Sequence, residues 1–208
     1  MKTFILYAVI LFFGVSSGSG IRVTYKQKLK KSHILNSSLP IKIKKSQLKK
    51  ANQLKTYTLD IRDKYSYFYG EESPTIFCKK HDRQESYMLL KSDLNMDKPY
   101  AVRWENKDFD WQVDKSKQKE ILGHNCFFAT FNEDGFEYKA WFAPDLDYSD
   151  GPYRFRGLGG LILELETKVL IIKTSKIENN QDVLFSIPES FKYVSRKFLG
   201  DRLMMSKT

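Results

Sequence analysis

The feature that most constrains the fold is a stretch of alternating apolar and polar residues, 111–166, interrupted by a cluster of proline and glycine. Residues 136–143 follow a clear turn at residues 132–135, and residues 161–166 follow the glycine-rich run at 157–160. Because successive side chains of a strand point to opposite faces of a sheet, this alternation indicates strands that bury one face. The stretch therefore predicts strands joined by tight corners.

Segments of the same kind recur along most of the chain, at intervals of about ten residues with turn residues between them. They do not alternate with long helices, so the pattern predicts a mainly β, antiparallel fold in a single domain, residues 21–208. Two short helices are predicted, at residues 46–54 and 189–199. The predicted strands are residues 21–26, 57–62, 65–69, 87–91, 101–105, 109–113, 119–132, 136–143, 153–156, 161–166 and 169–174.

The aromatic content predicts that the sheet is curved. The chain has 15 Phe, 12 Tyr and 3 Trp, and each buried ring removes about 150–250 Å² of surface from water. A flat sheet would leave large rings exposed on one face, whereas a half-barrel or bowl wraps around them or around an apolar ligand. The rings predicted to line such a concave surface are Trp111, Trp141, Phe142, Tyr153 and Phe155; the alternative is that they fill a core.

The N-terminus has the pattern of a secretory signal peptide, residues 1–20. Lys2 precedes an apolar run at residues 4–14, and small residues follow at 15–20. The apolar run is shorter than the roughly 20 residues that span a bilayer, so we expect cleavage rather than a retained anchor. After cleavage no transmembrane span is expected, which predicts an exported protein of the periplasm or cell surface.

The net charge of +10 is concentrated near the N-terminus. The basic N-terminal segment, residues 21–55, contains 11 of the 35 Lys and Arg residues and no Asp or Glu; apart from these and Lys2, 23 basic residues face 25 acidic ones. The segment is either a solvated arm or a surface for anionic lipid head groups, lipopolysaccharide phosphates or an acidic partner. Because the protein is predicted to be exported, we do not expect this segment to bind nucleic acid. The lysines concerned are Lys26, Lys28, Lys30, Lys31, Lys42, Lys44, Lys45, Lys49 and Lys50.

Two cysteines in an oxidising compartment suggest a disulfide between Cys78 and Cys126, which would contribute roughly 3–4 kcal/mol. Two buried free thiols are the alternative. A zinc site that adds His81 and His124 is disfavoured, because Cys78 and His81 cannot share a face of a regular strand. We therefore predict no metal and no cofactor.

Catalytic patterns are incomplete in this sequence. Residues 145–151 look like a calcium loop, but the glycine falls one place late and Arg156 stands where a glutamate is needed. Ser149 and Ser186 lack the flanking glycines of a nucleophile elbow. With 3 His in the chain, a histidine-based triad is improbable. We predict no catalytic residue and a non-enzymatic protein, and keep an unrecognised hydrolase as an alternative.

Several short motifs between residues 111 and 166 occur together: Trp111, residues 121–126 with Ala129, residues 140–142, and finally a Gly-Pro pair followed by GLGGLI. In this combination the stretch resembles the GLPGLI family, secreted proteins of Bacteroidetes without an established activity. The residues that match the family's terminal motif are Gly151, Pro152, Gly157, Leu158, Gly159, Gly160, Leu161 and Ile162.

The resemblance implies a bowl-shaped half-barrel, similar to periplasmic lipoprotein carriers, in the envelope of a Gram-negative bacterium. Of the two cysteines, only Cys126 lies among the residues that match the family. Two departures matter. Gly159 replaces the family's proline, so that the turn is free to take positive φ. His124 replaces an aromatic residue, which removes any role that depends on that ring.

Two functions from different classes follow. The first is a non-enzymatic binding or accessory protein that holds an apolar ligand in an aromatic-lined concave sheet. The second is a structural or interaction module that docks to an envelope partner through the basic N-terminal segment. In the second case, deletion of residues 26–50 is predicted to remove docking and leave the sheet intact.

Overall fold

A computed structural model describes residues 20–62, 65–82, 85–105, 109–180 and 190–205. The predicted signal peptide, apart from Gly20, and Ser186 lie outside the described residues. The predicted fold class is confirmed, since the chain forms an open, curved sheet of 12 strands, with 52% strand and 17% helix. Within the described ranges, no helix is both long and apolar enough to cross a bilayer.

The elements form two meanders that follow one another along the chain and meet in the middle of the sheet. Their bounds are β1 Gly20–Leu29, α1 Lys31–Leu35, α2 Ile41–Ala51, β2 Lys55–Arg62, β3 Tyr65–Gly70, β4 Thr75–Lys80, β5 Glu85–Leu90, β6 Tyr100–Glu105, β7 Gln112–Ile121, β8 His124–Glu133, β9 Phe136–Ala143, β10 Leu161–Glu166, β11 Leu170–Asn180, β12 Lys192–Tyr193 and α3 Arg196–Met205. The strand order is β12-β6-β5-β4-β3-β2-β1-β11-β10-β9-β8-β7. Neighbouring strands are antiparallel except β12, which runs parallel to β6.

Strand β1 lies in the middle of the sheet and joins its two halves. It pairs with β2 on one side and with β11 on the other, and Val23 and Tyr25 are fully buried. The predicted strand at residues 21–26 is thus confirmed and extends to Leu29. The view of residues 21–55 as a detachable arm is wrong, because deletion of residues 26–50 would remove part of this central strand.

Several predicted strand boundaries are wrong for local reasons. The predicted single strand at residues 119–132 is a hairpin, in which Leu122 (φ 52°) and Gly123 (φ 83°) form the turn between β7 and β8. A leucine at the first turn position carries no sequence signal for a turn. Strand β4 escapes prediction because its last three residues are all buried and break the alternation. Residues 153–156 form no strand.

The helices also differ in extent from the predicted ones. Helix α2 begins directly after Pro40 and ends at Ala51, whereas the sequence predicts a start at Ser46. Proline is favourable at a helix start, because the first turn has no intrahelical partner for its missing N–H. Helix α3 occupies residues 196–205 rather than 189–199, and residue 189 lies outside the described ranges.

The main core lies between the sheet and the segment that joins β9 to β10, which we call the 144–160 loop. Phe155 and Leu158 of this loop are buried together with core residues of β1, β2, β3 and β8–β11. The loop also contacts Phe77 of β4 through Tyr153. Strands β4 and β8 are separated by six strands in the sheet order, so one loop contacts both only because the sheet curves around it. The loop therefore lies on the concave face.

Candidate functional site

Tyr153 packs into the half of the concave face formed by β2–β4. Its ring centroid lies 4.5 Å from that of Phe68 and 4.9 Å from that of Phe77, and its hydroxyl donates a hydrogen bond of 2.5 Å to Gln27 Oε1. Burial raises the pKa of this hydroxyl above its ordinary value. A ring held on several sides in this way contributes to packing and has little surface left for a ligand.

Phe155 and Trp111 pack into the other half of the same face. The Phe155 ring lies 5.3 Å from Phe109 and 5.6 Å from Tyr138, between centroids. Trp111 meets Phe131 edge to face at 4.6 Å, and its indole Nε1 donates to the carbonyl oxygen of Arg156 at 2.9 Å. Three of the five rings predicted to bind a ligand therefore hold the 144–160 loop on the concave face.

The remaining two predicted rings are sequence neighbours on opposite faces of β9. Phe142 is buried in the main core. Trp141 is half-buried and packs against Phe128 at a centroid distance of 5.0 Å, while Lys119 Nζ lies 4.4 Å from its ring centroid. Because strand neighbours point to opposite faces, the five rings do not meet on one surface.

Trp141 contributes to a shallow groove of about 330 Å³. Its lining residues are Lys28, Phe128, Lys139, Trp141, Glu164, Leu165, Glu166, Ile171, Ile172 and Lys173. Lys119 beside the groove is paired with Glu164 at 2.6 Å, and Lys30 with Glu166 at 2.7 Å. Both glutamates of the groove are thus paired with lysines, and the Lys119 ammonium lies over the Trp141 ring.

The glycines that match the family motif differ in what their surroundings require. A Cβ on Gly160 would lie 2.2 Å from the Ala143 carbonyl oxygen, and one on Gly151 would lie 2.7 Å from Ile162 Cβ. A Cβ on Gly159 would meet no atom within 4 Å, and Gly159 is not among the positive-φ residues of the described chain. Crowding explains Gly160 and Gly151, whereas Gly159 does not use the positive φ that its lack of a side chain would permit.

A buried ionic cluster, which the sequence does not predict, fastens the loop to β4. Lys79 is fully buried, and its Nζ contacts both the Asp150 carboxylate and the Gly151 carbonyl oxygen. Asp150 Oδ1 also accepts a hydrogen bond of 2.6 Å from Gly151 N, and His81 Nε2 lies 3.1 Å from Oδ2. Although burial alone would raise the pKa of Asp150, the Lys79 charge and His81 hold it below its ordinary value. The cluster is an ion pair in a closed site.

A cysteine, a histidine and an aspartate lie close in sequence or in space at Cys126, His124 and Asp145, as in a catalytic site with a thiol nucleophile and a base. His124 Nδ1 lies 2.7 Å from Asp145 Oδ2. Cys126 is fully buried, however, and this burial, together with the Asp145 charge, raises the pKa of its thiol to about 11. A thiol that stays protonated near neutral pH is a poor nucleophile, so this trio does not supply an activated one.

The two cysteines do not form the predicted disulfide. Both are free and buried, and six strands separate β4, which carries Cys78, from β8, which carries Cys126. Cys78 also belongs to a separate cluster with Tyr87 and Leu89. The same separation splits the four residues considered for zinc, since His81 contacts Asp150 and His124 contacts Asp145.

The lysines of the basic segment fall into two groups. Those on or next to β1 are engaged by the sheet: Lys26 Nζ donates to Thr56 Oγ1 at 2.7 Å, and Lys30 pairs with Glu166. Those of α1 and α2, which we call the α1–α2 unit (residues 31–51), lie on a pair of helices beside the sheet. Among the described residues, no ion pair involves a lysine of α2. The α1–α2 unit contains six lysines and no Asp or Glu, so it has no acidic side chain of its own to neutralise them.

Comparison with known proteins gives the fold alone. No family model matches the chain, and no curated protein matches its sequence. PNGF-II in its P21 crystal form is similar with a TM-score of 0.62 and 13% identity, over 90% of this chain and 34% of PNGF-II. The C2 form gives a TM-score of 0.64 and 14% identity, over 90% and 33%. The chain thus spans about a third of the length of PNGF-II.

Proposed function

We propose that the protein is a non-enzymatic binding or accessory module that docks to a negatively charged component of the cell envelope through the α1–α2 unit. The observation that carries the proposal is the set of lysines on α2 without acidic partners in the described structure. Such a surface attracts polyanions over about 10 Å, the screening length at 0.1 M salt. Export and the GLPGLI assignment, both predicted from the sequence, are part of this proposal.

The concave face supports this choice over an apolar-ligand carrier. Tyr153, Phe155 and Trp111 pack against other rings of the core, and Tyr153 and Phe155 come from the loop that fills the face. A carrier would have to displace the 144–160 loop, which the buried Lys79–Asp150 pair fastens to β4. The rings that motivated the carrier hypothesis are therefore better explained as core.

Sedimentation with envelope fragments of a Gram-negative bacterium tests the proposal. The protein is expected to sediment with the fragments at low salt and to be released as salt is raised, because the interaction is screened. A variant with Lys42, Lys45 and Lys49 changed to Gln should bind weakly. The matched control changes Lys98, Lys115 and Lys197, exposed lysines on other elements, and should bind like the unaltered protein. Equal losses in both variants, or binding that is insensitive to salt, would exclude docking through α1–α2.

A further inference from the structure

We propose that the negatively charged component is an anionic phospholipid bilayer, which the α1–α2 unit contacts with lysines and apolar side chains together. This inference rests on the proposed function and names the partner. It comes from exposed apolar side chains that the sheet does not cover. Leu35 is 56% exposed, Ile41 75% and Ile43 45%. Large apolar side chains that protrude among lysines are typical of helices that lie in the membrane interface.

The three apolar side chains lie where the two helices meet. Leu35 is the last residue of α1, and Ile41 is the first residue of α2. Lys44 Nζ donates a hydrogen bond of 2.9 Å to the Leu35 carbonyl oxygen, which links the two helices. Ile34 and Ala51 are almost fully buried, and α2 contacts both α1 and β1, so the unit is attached to the sheet. Leu35 and Ile41 thus lie on either side of the linker that joins the two helices, at one end of the unit.

The period of α2 separates its inner and outer sides. Lys44, Gln47, Leu48 and Ala51 are the residues with reduced exposure, and their spacing of three and four residues defines the inner side. The outer side centres on Lys42 and Lys49, because consecutive residues are about 100° apart around the axis. Ile41 and Ile43 flank these lysines. Exposed lysines therefore occupy the outer side, whereas Ile41 and Ile43 project from its two opposite edges, because residues two apart differ by about 200° around the axis.

This combination selects a bilayer over a soluble polyanion. Phosphate groups alone would bind the lysines and leave Ile41 exposed to water. In an anionic bilayer, the lysines reach the phosphates while the isoleucines enter the boundary between head groups and acyl chains. Each lysine near the bilayer surface then adds a similar increment to the binding free energy.

The surroundings of the two ends of α2 also define an orientation. At the C-terminal end, Leu54 is exposed but lines a groove with Glu71 and Glu72. Two carboxylates at that end would be repelled by an anionic surface. The N-terminal end of α2, with Leu35 and Ile41, is therefore the part that meets the membrane.

The experiment is flotation of the purified chain with vesicles of phosphatidylcholine, with and without phosphatidylglycerol. We expect flotation only with phosphatidylglycerol present. Changing Lys42, Lys45 and Lys49 to Gln should weaken it about a hundredfold, from roughly fivefold for each lysine. Changing Ile41 and Ile43 to Ser should weaken it by about tenfold or more. The proteins compared all lack the predicted signal segment, residues 1–20, because its apolar run would bind vesicles by itself.

Inorganic polyphosphate is the second probe, because it offers phosphates without an apolar phase. The isoleucine variant should bind it like the unaltered protein, whereas the lysine variant should not. The Lys98, Lys115 and Lys197 control should float normally. Circular dichroism and thermal unfolding confirm that each variant is folded.

Three outcomes would overturn the inference: flotation with phosphatidylcholine alone to the same extent, an isoleucine variant that floats normally, or no flotation at all. If the protein sediments with envelope fragments but does not float, the docking function stands and the bilayer does not. If it does neither, both proposals fail.

Discussion

The 144–160 loop and the α1–α2 unit use apolar residues in opposite ways. In the loop, Tyr153 and Phe155 have the sequence pattern of a ligand site, yet other rings surround them. In the α1–α2 unit, Leu35 and Ile41 carry no sequence signal of a binding surface, yet they stay exposed. The difference teaches that residue type alone does not mark a binding surface. What matters is whether the fold supplies a second layer that covers the residue.

The largest effect is expected when the loop loses its ionic attachment. Asp150→Asn leaves the buried Lys79 ammonium without its counter-charge, which should lower the free energy of unfolding by about 3–5 kcal/mol. Denaturant unfolding at neutral pH measures this. Adding Lys79→Met to the variant should recover part of the loss, because no buried charge then remains unpaired. A single variant as stable as the unaltered protein would show that the cluster does not fasten the loop.

The same residue predicts how stability depends on pH. Burial would raise the pKa of Asp150, but Lys79 and His81 outweigh it and hold the pKa below its ordinary value. A depressed folded-state pKa contributes stability above the ordinary value of about 3.9, and that stability is lost as the pH falls further towards the folded-state pKa. Unfolding measured below pH about 4 should therefore depend less steeply on pH in Asp150→Asn. Parallel profiles for the two proteins would contradict the ion pair.

A pair of substitutions separates the predicted ligand rings from one another. Phe155→Ala should lower the free energy of unfolding by about 3–5 kcal/mol, because it empties a buried site. Trp141→Ala, on the other face of the sheet and half-buried, should cost about 1–2 kcal/mol. Thermal and denaturant unfolding of the two variants measure the difference. Equal costs would mean that the loop is packed no more tightly than the outer groove.

Adjacent glycines in the loop provide a matched pair. Gly160→Ala places a methyl group against the Ala143 carbonyl oxygen and should cost about 1–3 kcal/mol, as overpacking does. Gly159→Ala meets open space and should change stability by less than about 0.5 kcal/mol. Melting temperatures compared side by side decide this. If Gly159→Ala cost more stability than Gly160→Ala, the crowded position would be residue 159 rather than residue 160.

The smallest effect on stability is expected in the α1–α2 unit. Changing Ile41 and Ile43 to Ser should alter the free energy of unfolding by less than about 0.5 kcal/mol, since both side chains already face water. Denaturant unfolding checks this directly. A loss comparable to that of Phe155→Ala would reveal packing against these isoleucines and remove the contrast between the two regions.

Much of the fold was predictable because it depends on local pattern. Alternation with period two correctly indicated β9 and β10, and the excess of aromatic residues indicated a curved sheet. Boundaries failed where the local signal was weak, as at the Leu122–Gly123 turn and in β4. The rings predicted to bind a ligand illustrate another limit of local pattern. An alternating strand shows that one face is apolar, but it does not show which segment covers that face.

The sequence by itself determined the class of fold and the concentration of positive charge before residue 55. These follow from backbone sterics, strand periodicity and composition, which act between residues close in the chain. Only the tertiary structure decided that β1 is central, that the cysteines are far apart, and that Lys79 meets Asp150. Each of these depends on contacts between residues distant in sequence, and such contacts arise only when the sheet curves around the 144–160 loop.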